Sequence, residues 1–215
     1  MIQVSILIIN IAAAVMVITL KEFIKSAVST ALGDPLPGRD RRLTLNPLRH
    51  IDLLGLIIFV YMGTRAVLAP IFLFFPAFGW GKTVETSGLY YKNRKGGTLV
   101  THIVPSLALI IMVLVLRLIF GSFMAFEVYE IGEFYLMYFL NRFAVYGLSL
   151  AFFNMIPIYP MDGGKVLSVF LSPNRVVRMA AVEKLIFMVF LLIMIIWPSN
   201  PLMVIIHQLI LNILG

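Results

Sequence analysis

The chain has 215 residues, of which 61% are hydrophobic and 13% charged, and its mean hydropathy is +1.01. This composition excludes a soluble globular domain and places the chain, as a single domain, among integral membrane proteins bathed by the lipid bilayer. The formal net charge of +7 comes without a basic stripe interleaved with aromatics, which argues against nucleic acid as a partner, and the absence of cysteine excludes disulfides, thiol nucleophiles and thiolate metal sites.

Residues 2–20 form an apolar run long enough to cross a hydrocarbon core of about 30 Å at about 1.5 Å per residue. No basic segment or small-residue cleavage site accompanies the run, so it reads as a retained span and not as a signal peptide. Good helix formers continue to Leu32, giving a first helix over 2–32 that Gly33 caps and Asp34-Pro35 and Pro37-Gly38 stop. Residues 39–52, with Arg39, Arg41, Arg42 and Arg49, read as a basic surface loop.

The apolar run 53–78 is broken by Gly63, Arg65 and Pro70 and fits either a single crossing or a hairpin that enters and leaves by one face. A loop over 79–97 carries Lys82, Lys92, Arg94 and Lys95, and a span follows over 99–120. The connection 121–133 holds Glu127, Glu130 and Glu133 and no Lys or Arg. A span over 134–156 contains Asn141 and Arg142, and a Pro/Gly stretch over 157–164 follows it. Lys165, Arg175 and Arg178 precede a span over 180–197, and the apolar tail 201–214 is too short to cross comfortably.

Charge placement bears on the run 53–78. If it crosses, the first basic loop faces the opposite side from the later ones; if it re-enters, every basic loop shares one face and the acidic connection takes the other, as the positive-inside rule requires. Re-entry is therefore expected, and it implies a cavity, because non-helical backbone at membrane depth must be covered by protein or line water. Arg65 then needs a partner or a water path.

The stretch Asn154-Met155-Ile156-Pro157-Ile158-Tyr159-Pro160-Met161-Asp162-Gly163-Gly164 opens the backbone at the end of an apolar run, since prolines three apart cannot continue a helix. By itself this is also what an ordinary helix exit looks like. Its N-x-x-P-x-x-P-x-D-G pattern resembles the second motif of the site-2 protease family of intramembrane zinc metalloproteases. Leu32-Gly33-Asp34-Pro35, the segment from Arg42 through Asn46-Pro47-Leu48-Arg49-His50-Ile51 to Asp52, and Phe78-Gly79-Trp80-Gly81-Lys82 are similar, in the same order, to the short prokaryotic branch of that family. The resemblance implies an all-α polytopic membrane protein with a site-2-protease-like helical core and a re-entrant segment, in a prokaryotic plasma membrane.

The family's first motif is H-E-x-x-H, with two zinc-binding histidines and a glutamate that acts on the attacking water; the Asp of the second motif is the third ligand. Carried over, the resemblance places Glu22 at the glutamate, Asp162 at the third ligand, and Lys21 and Lys25 at the two histidines. Asn154, Pro157 and Pro160 fall where opened backbone holds a substrate helix in extended form. An ammonium has no free lone pair and repels a metal, so the lysines argue against zinc. The family's third helix usually opens A-G-P-x-x-N, and Ile103-Val104-Pro105-Ser106-Leu107-Ala108 lacks the glycine and the asparagine.

Two readings of the lysines stand. In one they snorkel to the interface at the end of the first span. In the other, being four apart on one helix face, they point together at the family's metal position and neutralise Asp162 and Glu22 in place of the dication. A charge at bilayer centre costs about 2.5–3.5 kcal/mol on insertion scales, so buried lysines demand such partners. A residual chemical reading gives one lysine a role as a base, or keeps a metal on Asp162, Glu22 and an imported histidine. Of the histidines, His50 reads as structural and His207 lies in the tail. His102 is the candidate ligand, although an interfacial histidine with a backbone partner is the plainer expectation.

The expected protein is thus a non-proteolytic relative, without a cofactor, that binds a transmembrane client or an active protease relative. The alternative is an active intramembrane protease with zinc in a non-standard site.

Overall fold

The computed structural model describes residues 2–68, 75–121, 131–197 and 199–215, with side chains described from Val4 and, in the first stretch, up to Thr64. Arg65, Pro70, Glu127 and Glu130, singled out above, lie outside the described side chains.

Every named element is helical: α1 Ile2–Ala31, α2 Leu36–Arg39, α3 Leu53–Leu68, α4 Arg94–Phe120, α5 Ile131–Asn154, α6 Asp162–Ser168, α7 Pro173–Ile196 and α8 Pro201–Leu214. Among the described residues, four helices, α1, α4, α5 and α7, are long and apolar enough to cross a membrane. The protein is an all-α, multi-pass membrane protein.

Local chemistry sets the boundaries. Gly33 adopts φ 104°, a left-handed conformation suited to glycine, and its amide donates back to Thr30 while that of Asp34 donates to Ser29, ending α1. Asn93 and Asn200 cap α4 and α8 by accepting from the Gly96 and Met203 amides. Proline at the first position of α7 starts that helix at residue 173, ahead of the apolar run expected from 180. The Asn93 side-chain cap likewise starts α4 at residue 94, ahead of the apolar run expected from 99.

Helix α5 is the centre of the bundle. Its most apolar window is 78% buried, whereas that of α7 is 11% buried, so α7 packs peripherally and presents most of its surface to lipid. In a bilayer apolar side chains gain little by leaving lipid, so association rests on close packing and interhelical hydrogen bonds. Small residues supply the closeness: Ala13 and Ala14 of α1 and Ala144 and Ala151 of α5 are fully buried, and Gly147 approaches Val113 of α4. Polar groups supply the bonds. Asn10 of α1 donates to the Tyr138 hydroxyl at 2.9 Å and accepts from that of Tyr146 at 2.7 Å. Asn141 and Arg142, which interrupt the apolar run in sequence, are buried inside α5. The Arg142 guanidinium donates to the Asn141 side chain at 2.7 and 3.1 Å and lies over the Tyr138 ring.

Residues 32–52, 79–93 and 155–172 meet at one end of this bundle. Ile51 forms an antiparallel bridge with Gly81, the Lys82 amide donates to the His50 carbonyl at 2.7 Å, and the extended segment before Gly81 runs back along α3. A Cβ on Gly79 would collide with Phe59, and one on Gly55 with Trp80, so glycine permits this close return. The two ends of the run 53–78 therefore lie side by side.

Candidate functional site

The unbroken register of α1 puts Lys21 and Lys25 on one face, four residues apart. Opposite them Asp162 opens α6. This placement depends on the turn before it: a Cβ on Gly163 would strike the carbonyl oxygens of Met155 and Ile156, and one on Gly164 would lie 2.8 Å from the Tyr159 amide nitrogen. The glycines let the proline-opened turn fold flat onto α6 and hold the aspartate against α1.

The result is a buried ion cluster. Lys21 Nζ donates to Asp162 Oδ2 at 2.6 Å and to Glu22 Oε1 at 2.9 Å, and Lys25 Nζ donates to Asp162 Oδ1 at 2.5 Å. None of the four residues is more than 4% exposed. Two ammonium groups face two carboxylates, so the cluster is neutral within itself, as its burial requires. Burial alone pushes the Asp162 carboxyl up, but the adjacent Lys21 and Lys25 charges outweigh it and hold the group well below the usual carboxylate range. Snorkelling lysines are not what the structure contains.

His102 completes the cluster. Its Nδ1–H donates to Asp162 Oδ1 at 2.7 Å, and Nε2 faces the Thr86 hydroxyl at 3.4 Å. The residue is 3% exposed, and its partners are side chains, which corrects the expectation of an interfacial histidine bonded to backbone. The signal that finds it is spacing: His102, Ser106, Leu109 and Val113 recur at four, three and four residues and form a buried face of α4. His50 is structural: burial pushes its imidazole below the ordinary value, and the Thr44 carbonyl accepts from Nε2 at 2.6 Å.

Two further residues pin the loops that frame the cluster. Arg42 is buried and donates to the Thr83 carbonyl at 3.0 Å, the Lys82 carbonyl at 3.4 Å and the Arg49 carbonyl. Asp34, fully buried, accepts from the Ser29 hydroxyl at 2.9 Å and from the Ser87 and Leu36 amides at 2.8 and 3.0 Å. Both lie in family-like segments, yet nothing in sequence spacing told that they clamp residues 82–87.

A cavity of about 350 Å³ opens over the cluster. Lys21, Glu22, Lys25 and Asp162 form its polar part, the extended residues 78–83 one wall, and Phe153, Asn154, Pro160 and Met161 another. The Asn154 amide donates to the Leu150 carbonyl within its own helix at 2.8 Å. Pro157 is exposed and outside the lining. The structure thus brings together Lys21, Glu22, Lys25, Asp162, Asn154 and Pro160, and leaves Pro157 apart.

The donor chemistry here does not fit a zinc ion. Both Asp162 oxygens already accept from cations or imidazole, the positions four apart on α1 carry ammonium groups without lone pairs, and His102 turns one nitrogen to Asp162 and the other to Thr86. Among the described residues no group of three or more His, Asp or Glu side chains is disposed to hold a metal.

Comparison with known proteins gives two findings. The profile of Peptidase family M50 matches residues 5–197. A putative zinc metalloprotease, YwhC of Bacillus subtilis strain 168, is 27% identical over 193 residues, which cover 84% of this chain and 80% of that protein. No solved structure matches the chain.

Proposed function

The chain belongs to Peptidase family M50, and from that premise we propose that it is a non-proteolytic member that uses its membrane cavity to bind a transmembrane or membrane-proximal segment of another protein. The observation that carries this reading is the pairing of Lys21 and Lys25 with the two oxygens of Asp162. Internal cations sit where the resemblance puts a dication, so the site keeps its charge balance without metal, and the ligands needed to activate water are gone. The cavity itself is kept, between the wall at residues 78–83 and the turn bearing Asn154 and Pro160. The extended wall and the opened turn suit a partner segment that has left helical form and pairs through its main chain.

In this reading the run 53–78 is re-entrant, in keeping with the side-by-side return of Gly81 to Ile51, and the basic loops face the cytoplasm of a prokaryotic cell. The bound partner is a client held for regulation, or shielded from an active protease of the same family.

A second reading keeps proteolysis, and one observation favours it: Glu22 Oε2 is buried beside the cavity without a hydrogen-bond partner among the described residues, as an acid–base group awaiting water would be. It also agrees with the zinc metalloprotease name of the Bacillus relative. It requires both lysines to leave Asp162 and lose their protons. The two readings separate in proteoliposomes supplied with zinc and a reporter transmembrane peptide. The proposal expects no cleavage above that of empty liposomes; zinc-dependent cleavage that disappears in Glu22→Ala would overturn it.

A further inference from the structure

The ion cluster leaves specific hydrogen-bonding capacity unused. Glu22 accepts from Lys21 through Oε1, while Oε2 is buried with no donor among the described residues, on a residue that lines the cavity. A buried carboxylate oxygen without a partner calls for a donor from the cavity side. Lys25 lines the same cavity and donates one hydrogen bond, to Asp162, of the three an ammonium can give. Asp162 and His102 differ in that each of their polar atoms already has a partner: Asp162 Oδ1 accepts twice and Oδ2 once, and both ring nitrogens of His102 are engaged.

The charges here are already balanced. Lys21 and Lys25 cancel Glu22 and Asp162, and Lys82 and Asp52, the other charged residues of the lining, cancel each other. A charged ligand group would enter a low-dielectric, neutral site without compensation. A neutral group offering one N–H and one C=O side by side would satisfy both unused functions. Around them the lining is aromatic, with Phe78, Trp80, Phe153 and Phe187.

We infer that the cavity reads the main chain of one extended residue of an apolar partner segment, whose N–H and C=O point the same way: Glu22 Oε2 accepts that N–H and the Lys25 ammonium donates to that C=O. The inference rests on the partner-binding reading and specifies what that partner presents at the site. It is an apolar stretch, with no charged side chain at the bound position and with a main chain free of intrahelical hydrogen bonds there.

The absence of native cysteine permits a clean test. A full-length Thr83→Cys protein in lipid nanodiscs carries one thiol, on the cavity lining, whose modification by a maleimide reports occupancy. The probes are a leucine–alanine peptide of about twenty residues, the same peptide N-methylated along its central backbone, and the same peptide with a central lysine. The parent peptide is expected to protect the thiol saturably. The N-methylated peptide should need roughly tenfold more for equal protection, the loss of about one hydrogen bond to a charged group, and the lysine-bearing peptide should also need roughly tenfold more or beyond, because its charge enters a neutral site without compensation. Glu22→Leu should weaken the parent peptide similarly, whereas Glu22→Gln, which keeps an acceptor, should hold it within a few-fold. The peptide comparison uses the unmutated cluster, so it decides even if Glu22→Leu fails to fold. Equal protection by parent and N-methylated peptides would overturn the inference while leaving partner binding intact. No protection by any peptide would overturn both.

Discussion

At the scale of single residues, Asp162 is the counterion to two lysines, and among the described residues it is the carboxylate paired with Lys25. Asp162→Asn is therefore expected to destabilise the protein by about 3–5 kcal/mol, the range for breaking a buried ion pair from one side. Lys21→Met leaves Asp162 with Lys25 and His102 but takes from Glu22 the donor to its Oε1, so it too breaks a buried pair from one side and should cost about 3–5 kcal/mol. Thermal unfolding in detergent measures both, and a cost near zero for either would contradict the shared-counterion geometry.

The same carboxyl sets a pH dependence. Because its value is depressed on folding, the folded state binds fewer protons than the unfolded chain, so its contribution is fully present above the ordinary Asp value of about 4 and drains away below it. The melting temperature of the wild type should accordingly fall as pH drops from about 5 toward 3, and its gap to Asp162→Asn should narrow. A gap independent of pH over that window would mean that Asp162 is not held ionised by the lysines. Sequence made Lys21, Lys25 and Asp162 legible, since helical spacing and a motif sufficed. It left His102 and the clamps Asp34 and Arg42 obscure, because their partners are set by loop contacts distant in sequence.

At the scale of elements, the position of Asp162 depends on α6, a short helix whose first turn lies under the turn at residues 155–161. Gly163→Ala places a methyl group against the Met155 and Ile156 carbonyls, which are backbone and cannot rotate away. The expected effect is a loss of about 1–3 kcal/mol, as for overpacking. Because the strain displaces Asp162, combining it with Asp162→Asn should be less than additive. Additivity would show that the turn and the ion cluster are independent. The long spans were readable from hydropathy, but their starts were not: α7 begins at the Ser172-Pro173 signal, a turn and a half or more before its apolar run, and α6 is too short and glycine-rich to stand out as a helix.

At the scale of the whole molecule, Ile51 and Gly81, which flank the run 53–78, pair beside the ion cluster, and the proposed re-entry of that run puts the basic loops on one side of the membrane. Single cysteines introduced at Leu48, Lys82 and Arg175 should thus react with a membrane-impermeant maleimide from the same side in oriented vesicles. Labelling of Lys82→Cys from the side opposite Leu48→Cys would show that 53–78 crosses. The all-helical, multi-pass architecture was accessible from sequence because composition and span length are sums over many residues. The interior of α5 was less so: Asn141 and Arg142 look like breaks in a lipid-facing span, and only the enclosure of α5 by its neighbours explains their burial.

The central claim is that paired lysines, and not a metal, neutralise the retained aspartate, and metal content of the purified, detergent-solubilised protein tests it most directly. Zinc well below one equivalent is expected for the wild type after exposure to the ion and removal of excess, with the Lys21→His/Lys25→His double variant gaining zinc that Asp162→Ala abolishes. One equivalent of zinc bound to the wild type and lost in Asp162→Ala would contradict the account.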